Sequence, residues 1–176
     1  MRQPKDVRLF FALWPGAALR QQLHEAACAI PLAAGARRVS RTNLHLTLHF
    51  IGNVYFEQMD CLQAEARRVE ARAFKLDLDC QGFFRKPRVA WLGCREIPPA
   101  LSDLHRELGA RLHSCAYQPE VRPYHPHVTV ARKTGPISTA VGFDPICWVV
   151  DEFALVEVQT VENGVQYRVV ETYPLT

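Results

Sequence analysis

Nothing in the sequence approaches the length of a transmembrane helix. The apolar stretch near the start, Leu9-Phe10-Phe11-Ala12-Leu13-Trp14, is closed at once by Pro15-Gly16. A spanning helix needs about 20 apolar residues. A secretory signal needs a longer core and a small-residue cleavage site. A buried strand accounts for the run, and a cytoplasmic protein with no membrane partner is expected. Excess charge of one sign is also missing. Lys plus Arg number 21 against 18 Asp plus Glu, a net charge of +3. That balance excludes a chain coated indiscriminately by nucleic acid and leaves room for a local basic patch. Low-complexity segments are absent, and at 48% hydrophobic the 176 residues can bury one ordinary core, so disorder is excluded. Closely spaced cysteines are absent as well. Cys28, Cys61, Cys80, Cys94, Cys115 and Cys147 contain no C-x-x-C. Disulfide frameworks and thiolate zinc sites group their cysteines. Reduced, mostly buried thiols are expected here.

What is present is a repeat. Arg8 to Trp14 reads as a strand. Ala17 to Ala33 reads as a helix, with Leu19, Leu23, Ala26, Ala27 and Ile30 at helical spacing. A basic loop with Arg37, Arg38 and Arg41 leads into Leu44 to Ile51, which alternates. His45, Thr47 and His49 fall on one face, Leu46, Leu48 and Phe50 on the other. The same order returns as a strand at Val89 to Cys94, a helix opened by Pro98-Pro99 with Leu101, Leu104, Leu108 and Leu112 inward, and an alternating run from His127 to Ala131. His127 follows His45 by 82 residues (127 − 45), and Pro98 follows Gly16 by the same interval (98 − 16). A strand–helix–strand unit is therefore duplicated. Between and after the copies, Phe56 to Ala71 reads as a helix with Phe56 inward, and Phe74 to Phe84 as a strand. Ile146 to Val158 and Val165 to Tyr173 read as a hairpin about Asn163-Gly164. The expected class is α+β: a single domain over 1–176, bilobal, with mainly antiparallel sheets and outer helices around a central cleft.

Each copy carries His-x-Thr: His45-Leu46-Thr47 and His127-Val128-Thr129. Residues i and i+2 of a strand share a face, so each motif offers one imidazole and one hydroxyl to a common surface. That set suits phosphodiester chemistry. One imidazole takes a proton from water and the other gives one to the departing oxygen, work matched to an unperturbed pKa of about 6.5. The hydroxyls donate to nonbridging phosphate oxygens. One His-x-Thr is a weak signal; two at equal places in a repeat are not accidental.

These motifs resemble the two-histidine phosphoesterase superfamily, in the branch of RNA 2′,3′-cyclic phosphodiesterases also called 2′-5′ RNA ligases. Arg8-Leu-Phe-Phe-Ala-Leu, Asn43-Leu-His-Leu-Thr-Leu, Pro87-Arg-Val-Ala-Trp-Leu-Gly93, Pro126-His-Val-Thr-Val-Ala-Arg132 and Tyr173-Pro174-Leu175 carry the likeness nearly end to end. The resemblance implies that His45 is the proton donor and His127 the acceptor, that no metal or cofactor is needed, and that the two lobes flank a cleft. It implies hydrolysis of a terminal 2′,3′-cyclic phosphate on RNA, such as a tRNA fragment, to a 2′-phosphate, reversible as 2′-5′ ligation, by a monomer. The alternatives are a cyclic phosphodiesterase of a small nucleotide and a non-catalytic RNA-binding module.

Further candidates for substrate contact are Arg132, His49, Tyr124, Phe84 and Arg41. Relatives often carry a basic residue where Arg132 stands, yet strict alternation turns it away from His127, so a bend is required. By alternation His49 shares the face of His45 and Thr47, where it contacts substrate or lines a wet cleft. Phe84 and Tyr124 offer rings for base stacking. Arg37, Arg38, Arg41, Arg85, Lys86, Arg88 and Arg122 lie in loops near the motif strands, placed to track an RNA backbone. His24, His105 and His113 fall on helices and are expected at the surface. Zinc is disfavoured because no carboxylate or Cys sits beside either histidine pair.

Overall fold

The computed structural model describes residues 6–139, 142–162 and 164–176. Its strands are β1 (Val7–Leu13), β2 (Arg37–Arg38), β3 (Leu46–Val54), β4 (Phe74–Leu78), β5 (Cys80–Phe84), β6 (Val89–Gly93), β7 (His127–Arg132), β8 (Ile146–Val150), β9 (Glu152–Val161) and β10 (Gly164–Pro174). The helices are α1 (Ala17–Ala29), α2 (Phe56–Ala66) and α3 (Pro99–Leu112). Among the described residues no helix is long and apolar enough to cross a membrane.

One sheet runs β10-β9-β1-β3-β7-β6-β5, with β2 also paired to β7, and every pairing in it is antiparallel. β4 and β8 form a small second sheet. The duplication is visible in this order: β1–β3 and β6–β7 are the two copies. They meet where Leu46 pairs with Val128, its own counterpart at the repeat interval (128 − 46 = 82). An antiparallel pair between equivalent residues places a local twofold axis through that pair. The helices follow the same rule, since α1 starts at Ala17 and α3 at Pro99 (99 − 17 = 82). Leu101, Leu104, Leu108 and Leu112 are fully buried, as their spacing predicts.

Both motif strands are bulged at equivalent places. The β1–β3 register skips Leu48, so Phe11 faces His49 while Ala12 faces Thr47. The β6–β7 register skips Val130, so Ala90 faces Ala131 while Trp91 faces Thr129. The two skipped residues are again 82 apart (130 − 48). A bulge inserts one unpaired residue and exchanges the faces of everything beyond it.

Several expected elements change for local reasons. The helix expected over 56–71 stops at Ala66. There the Arg67 guanidinium donates to both carboxylate oxygens of Glu171 at 2.7 and 2.9 Å. The following chain then pairs with the C-terminus, through Ala73 N to Thr176 O and Thr176 N to Ala71 O. Phe56, expected inward, is exposed. The single strand expected over 74–84 is broken at Asp79, and the one over 146–158 at Asp151, because each half serves a different sheet. The closing hairpin joins β9 to β10 through Val161 and Gly164; Asn163 lies outside the described residues.

The expectation of six reduced, mostly buried thiols is corrected. Cys61 and Cys115 form a disulfide, with Cα atoms 5.7 Å apart, bridging α2 to the turn that follows α3. Their separation of 54 residues concealed a contact made only by helix packing. Cys28 and Cys147 are exposed, and Cys80 and Cys94 half-buried.

Candidate active site

The register at the twofold pair determines the site. Continued by one residue either way from Leu46–Val128, it sets His45 opposite Thr129 and Thr47 opposite His127, on the face away from the core. The duplicated His-x-Thr thus becomes one quartet about the local axis.

Each imidazole is oriented by its own strand. The Nδ1–H of His45 donates to the Asn43 carbonyl at 2.7 Å, and the Nδ1–H of His127 donates to the His125 carbonyl at 2.7 Å. Asn43 and His125 are repeat counterparts (125 − 43 = 82). With Nδ1 donating, Nε2 of each ring becomes the atom free to exchange a proton. The Thr47 hydroxyl donates to His45 Nε2 at 3.1 Å. Asn43 is itself held by its side-chain amide, which donates to Val165 O at 2.9 Å.

The surroundings of the two rings differ. His45 is packed by Phe10, Trp14 and Tyr167, with ring centroids 4.7, 5.6 and 5.2 Å away. This burial pushes its pKa down to about 4, against the raising effect of the Asn43 carbonyl. Arg132, His127 and Arg20 add repulsion in the same direction as burial. His127 packs edge-on to Phe84 at 5.0 Å and is lowered too, chiefly by burial, with His125, Arg122 and Arg132 contributing. The protein's own groups thus hold both rings neutral near neutral pH and surround them with guanidinium charge. An arriving phosphodiester anion reverses that balance and favours an imidazolium.

The bulges settle two open positions. Beyond Val130 the faces exchange, so Ala131 is buried and Arg132 joins the face of His127 and Thr129. The bend that Arg132 required is this bulge. Beyond Leu48 the same exchange turns His49 inward, which corrects its expected place on the His45 face. His49 is buried, accepts the Tyr117 hydroxyl at Nδ1 at 3.2 Å and donates from Nε2 to His105 O at 2.8 Å. A Cβ added at Gly109 would lie 2.9 Å from its ring. His49 is therefore packed into the core, and it also lines the floor of the cavity shared by Thr47 and His127. Replacing it with Leu strands two polar partners, which is expected to cost about 2–4 kcal/mol and to lower Tm while kcat stays near the parent value. Unchanged Tm with lost kcat, measured on the same preparation, would contradict this.

The other candidates divide. Phe84 lies edge-on to His127 and lines the cavity beside it. Tyr124 is a wedge: it stacks on His105 with centroids 3.8 Å apart and donates to Thr47 O at 3.1 Å. His105, expected at the surface, is half-buried between Tyr124 and His49, 4.1 Å from the latter's centroid. Arg41 is exposed, donates to Gln21 Oε1 at 2.6 Å and does not line the cavity that His127, Thr47 and Thr129 line. Arg38 closes the end of α1, donating to the carbonyls of Ala27, Cys28 and Ile30. Arg88 is bound to Thr134 O at 3.1 Å and Arg122 to Glu120. Trp14, Tyr167 and the carbonyls of Asn43 and His125 were missed by sequence reasoning. The shared 82-residue offset of Asn43 and His125 was the available signal. Among the described residues no group of three or more His, Cys, Asp or Glu side chains is placed to hold a metal ion.

Residues 15–162 match the family model of the 2′-5′ RNA ligase superfamily. The chain belongs to that superfamily. It is 35% identical over 181 residues to the RNA 2′,3′-cyclic phosphodiesterase of Escherichia coli, covering 100% of this chain and 99% of that protein. It is 31% identical over 185 residues to the RNA 2′,3′-cyclic phosphodiesterase of Thermus thermophilus, covering 96% and 90%. The crystal structure of E. coli LigT in apo form matches with a TM-score of 0.84 and 33% identity over 98% of this chain and 99% of that one. LigT complexed with 3′-AMP matches equally well. The superfamily match and the mainly antiparallel α+β fold agree with the resemblance carried by the two His-x-Thr motifs.

Proposed function

We propose that this protein is an RNA 2′,3′-cyclic phosphodiesterase that opens a terminal cyclic phosphate to a 2′-phosphate. The observation that carries the reading is the His/Thr quartet on one sheet face about a local twofold. In-line displacement needs an acid and a base on opposite sides of phosphorus, and a twofold supplies opposed groups directly. His127 Nε2 takes a proton from water as the water oxygen attacks phosphorus. The P–O3′ bond breaks, and imidazolium His45 protonates O3′ from Nε2. Thr47 and Thr129 donate to the nonbridging oxygens, with the Arg132 guanidinium beside them. The relatives' shared name supports RNA with a 2′,3′-cyclic phosphate as the substrate; cleaved tRNA fragments are the proposed source of such ends. One continuous sheet carrying both motifs supports a single domain over 1–176; a monomer in the cytoplasm is part of the same proposal.

The test is phosphorus NMR of the product from a defined 2′,3′-cyclic dinucleotide, run with excess chelator. A 2′-phosphate formed at the rate seen without chelator is expected. A 3′-phosphate as the main product refutes the orientation of His45 and His127. Loss on chelation with recovery on added zinc refutes metal-free catalysis. The same assay on a longer RNA is expected to give higher kcat/KM than the dinucleotide. Equal values would favour a small nucleotide as substrate.

A further inference from the structure

The local twofold makes the two ends of the quartet chemically alike, so groups outside it must decide which ribose oxygen meets His45. The repeat shows where the lobes differ. Trp14, Arg20 and Arg41 have Glu96, Ser102 and Pro123 as counterparts (96 − 14 = 102 − 20 = 123 − 41 = 82). The first lobe thus carries an indole and two guanidiniums where the second carries a carboxylate, a hydroxyl and a ring without a donor.

The three residues gather beside His45. The Trp14 ring stacks on the imidazole with centroids 5.6 Å apart, and the Arg20 guanidinium stands 5.3 Å from the Trp14 centroid. Arg20 Nη2 donates to Pro15 O at 2.8 Å, which fixes the fork, while its Nε is buried without a hydrogen-bond partner. Arg41 opens the short turn Arg41–Asn43, whose last carbonyl orients His45, and its Nη1 donates to Gln21, the residue after Arg20. Among the described residues neither guanidinium has a carboxylate within ion-pair distance. Burial first, then repulsion from Arg41, lowers the Arg20 pKa, and Arg20 in turn repels a proton on His45. A half-buried cation with a like-charged neighbour and no counterion is stabilised by an arriving anion. In the second lobe the loop cation is already neutralised, since Arg122 is bound to Glu120.

The substrate's own connectivity supplies the anion. In ribose, C3′ adjoins C4′, which carries the 5′-carbon, while C2′ adjoins C1′, which carries the base. With O3′ at His45, the 5′ side of the nucleotide therefore extends past His45, toward the two arginines. We infer that Arg20 and Arg41 hold the phosphodiester on the 5′ side of the terminal nucleotide and so place O3′, rather than O2′, at His45. The inference rests on the proposed phosphodiesterase reaction with His45 as the acid. A ribose turned end for end would send that phosphodiester toward the second lobe's counterparts, with a carboxylate among them. P–O2′ would then break, leaving a 3′-phosphate.

The experiment compares kcat/KM of the full chain on a 2′,3′-cyclic dinucleotide and on a 2′,3′-cyclic nucleoside monophosphate with a free 5′-hydroxyl, the products being read by phosphorus NMR. The unsubstituted protein is expected to favour the dinucleotide about 10–100-fold, the scale of a charge-assisted hydrogen bond, and less so as salt is added. Arg20→Gln and Arg41→Gln are each expected to lower that ratio about three- to tenfold. The double variant brings it near one, and 3′-phosphate appears among the products. Arg20→Lys, which keeps the charge, retains most of the preference. Arg106→Gln, which removes a charge paired with Asp103 on α3, leaves the ratio unchanged. A ratio near one in the unsubstituted protein, or one that survives both substitutions, overturns the assignment. So does an equal fall on both substrates, because the arginines then only brace Trp14 and His45. A ratio lost in Lys86→Gln and kept in Arg41→Gln overturns it as well, since the upstream chain then runs the other way. In each of these cases the cyclic phosphate is still opened and the phosphodiesterase stands. If the unsubstituted protein cleaves neither substrate, both readings fall together.

Discussion

His127→Ala is expected to lose about 10²–10⁴-fold in kcat on a 2′,3′-cyclic dinucleotide, and His45→Ala a loss of the same order. That range corresponds to about 3–5 kcal/mol of transition-state stabilisation for each ring. The two losses arise from different steps of one event, since one ring starts neutral and the other starts protonated. Neither substitution should unfold the chain. Both rings sit on the cleft face, outside the core formed by Leu46, Leu48, Val128 and Val130. The double variant should lose little beyond the worse single variant, because a displacement lacking either proton transfer has already lost the concerted path. Turnover near the parent level in either single variant, with circular dichroism confirming the fold, would remove the proposed roles.

Thr129→Val and Thr47→Val are expected to lose on the order of 10²-fold each, mostly in kcat. Valine keeps the branched shape that suits the strand, so the substitution removes the hydroxyl and little else. Thr47 has an added duty. Before substrate binds, its hydroxyl donates to Nε2 of the neutral His45 ring at 3.1 Å and must turn to the phosphate as that ring is protonated, so its loss also changes the ring's proton affinity. For Thr47→Val the pH profile should therefore move as well as the rate, whereas for Thr129→Val the rate alone should fall. A rise in KM with unchanged kcat in both variants would mean that the hydroxyls bind substrate uniformly and do not meet charge developing in the transition state.

The duplicated His-x-Thr was legible because duplication doubles every local signal: the strand alternation, the Leu stripe of α3 and the 82-residue offset all point the same way. What alternation could not show is a bulge. Nothing in Leu46-Thr47-Leu48-His49 distinguishes a regular strand from one that skips Leu48. The rule that correctly joined His45 to Thr47 therefore misplaced His49 and left Arg132 needing a bend. The bulges depend on partner strands far away in sequence, Phe11 and Ala12 in one lobe and Ala90 and Trp91 in the other. The same holds for His105, whose helical spacing reads as surface but whose ring is sandwiched by residues 56 positions earlier and 19 later. Arg38 looked like a contact for RNA and instead satisfies the open carbonyls of α1. Loop charge alone does not separate the two uses, since a guanidinium serves a helix end and a phosphate with the same donors.

The measurement that tests the account most directly is the pH dependence of kcat and kcat/KM for the parent and the two single-histidine variants. A neutral His127 makes the rate rise as pH climbs through its pKa; a protonated His45 makes it fall as pH climbs through its own. In the protein without substrate both values are lowered, that of His45 to about 4, so the kcat/KM bell should lie on the acidic side. Its apparent values belong to the pair. Bound phosphodiester favours imidazolium, so both limbs of the kcat profile should lie at higher pH than those of kcat/KM. In the residual activity of the variants, His45→Ala should lose the descending limb and His127→Ala the ascending one. A parent rate that climbs steadily with pH, or variants that keep both limbs, would contradict paired acid–base catalysis by these two residues.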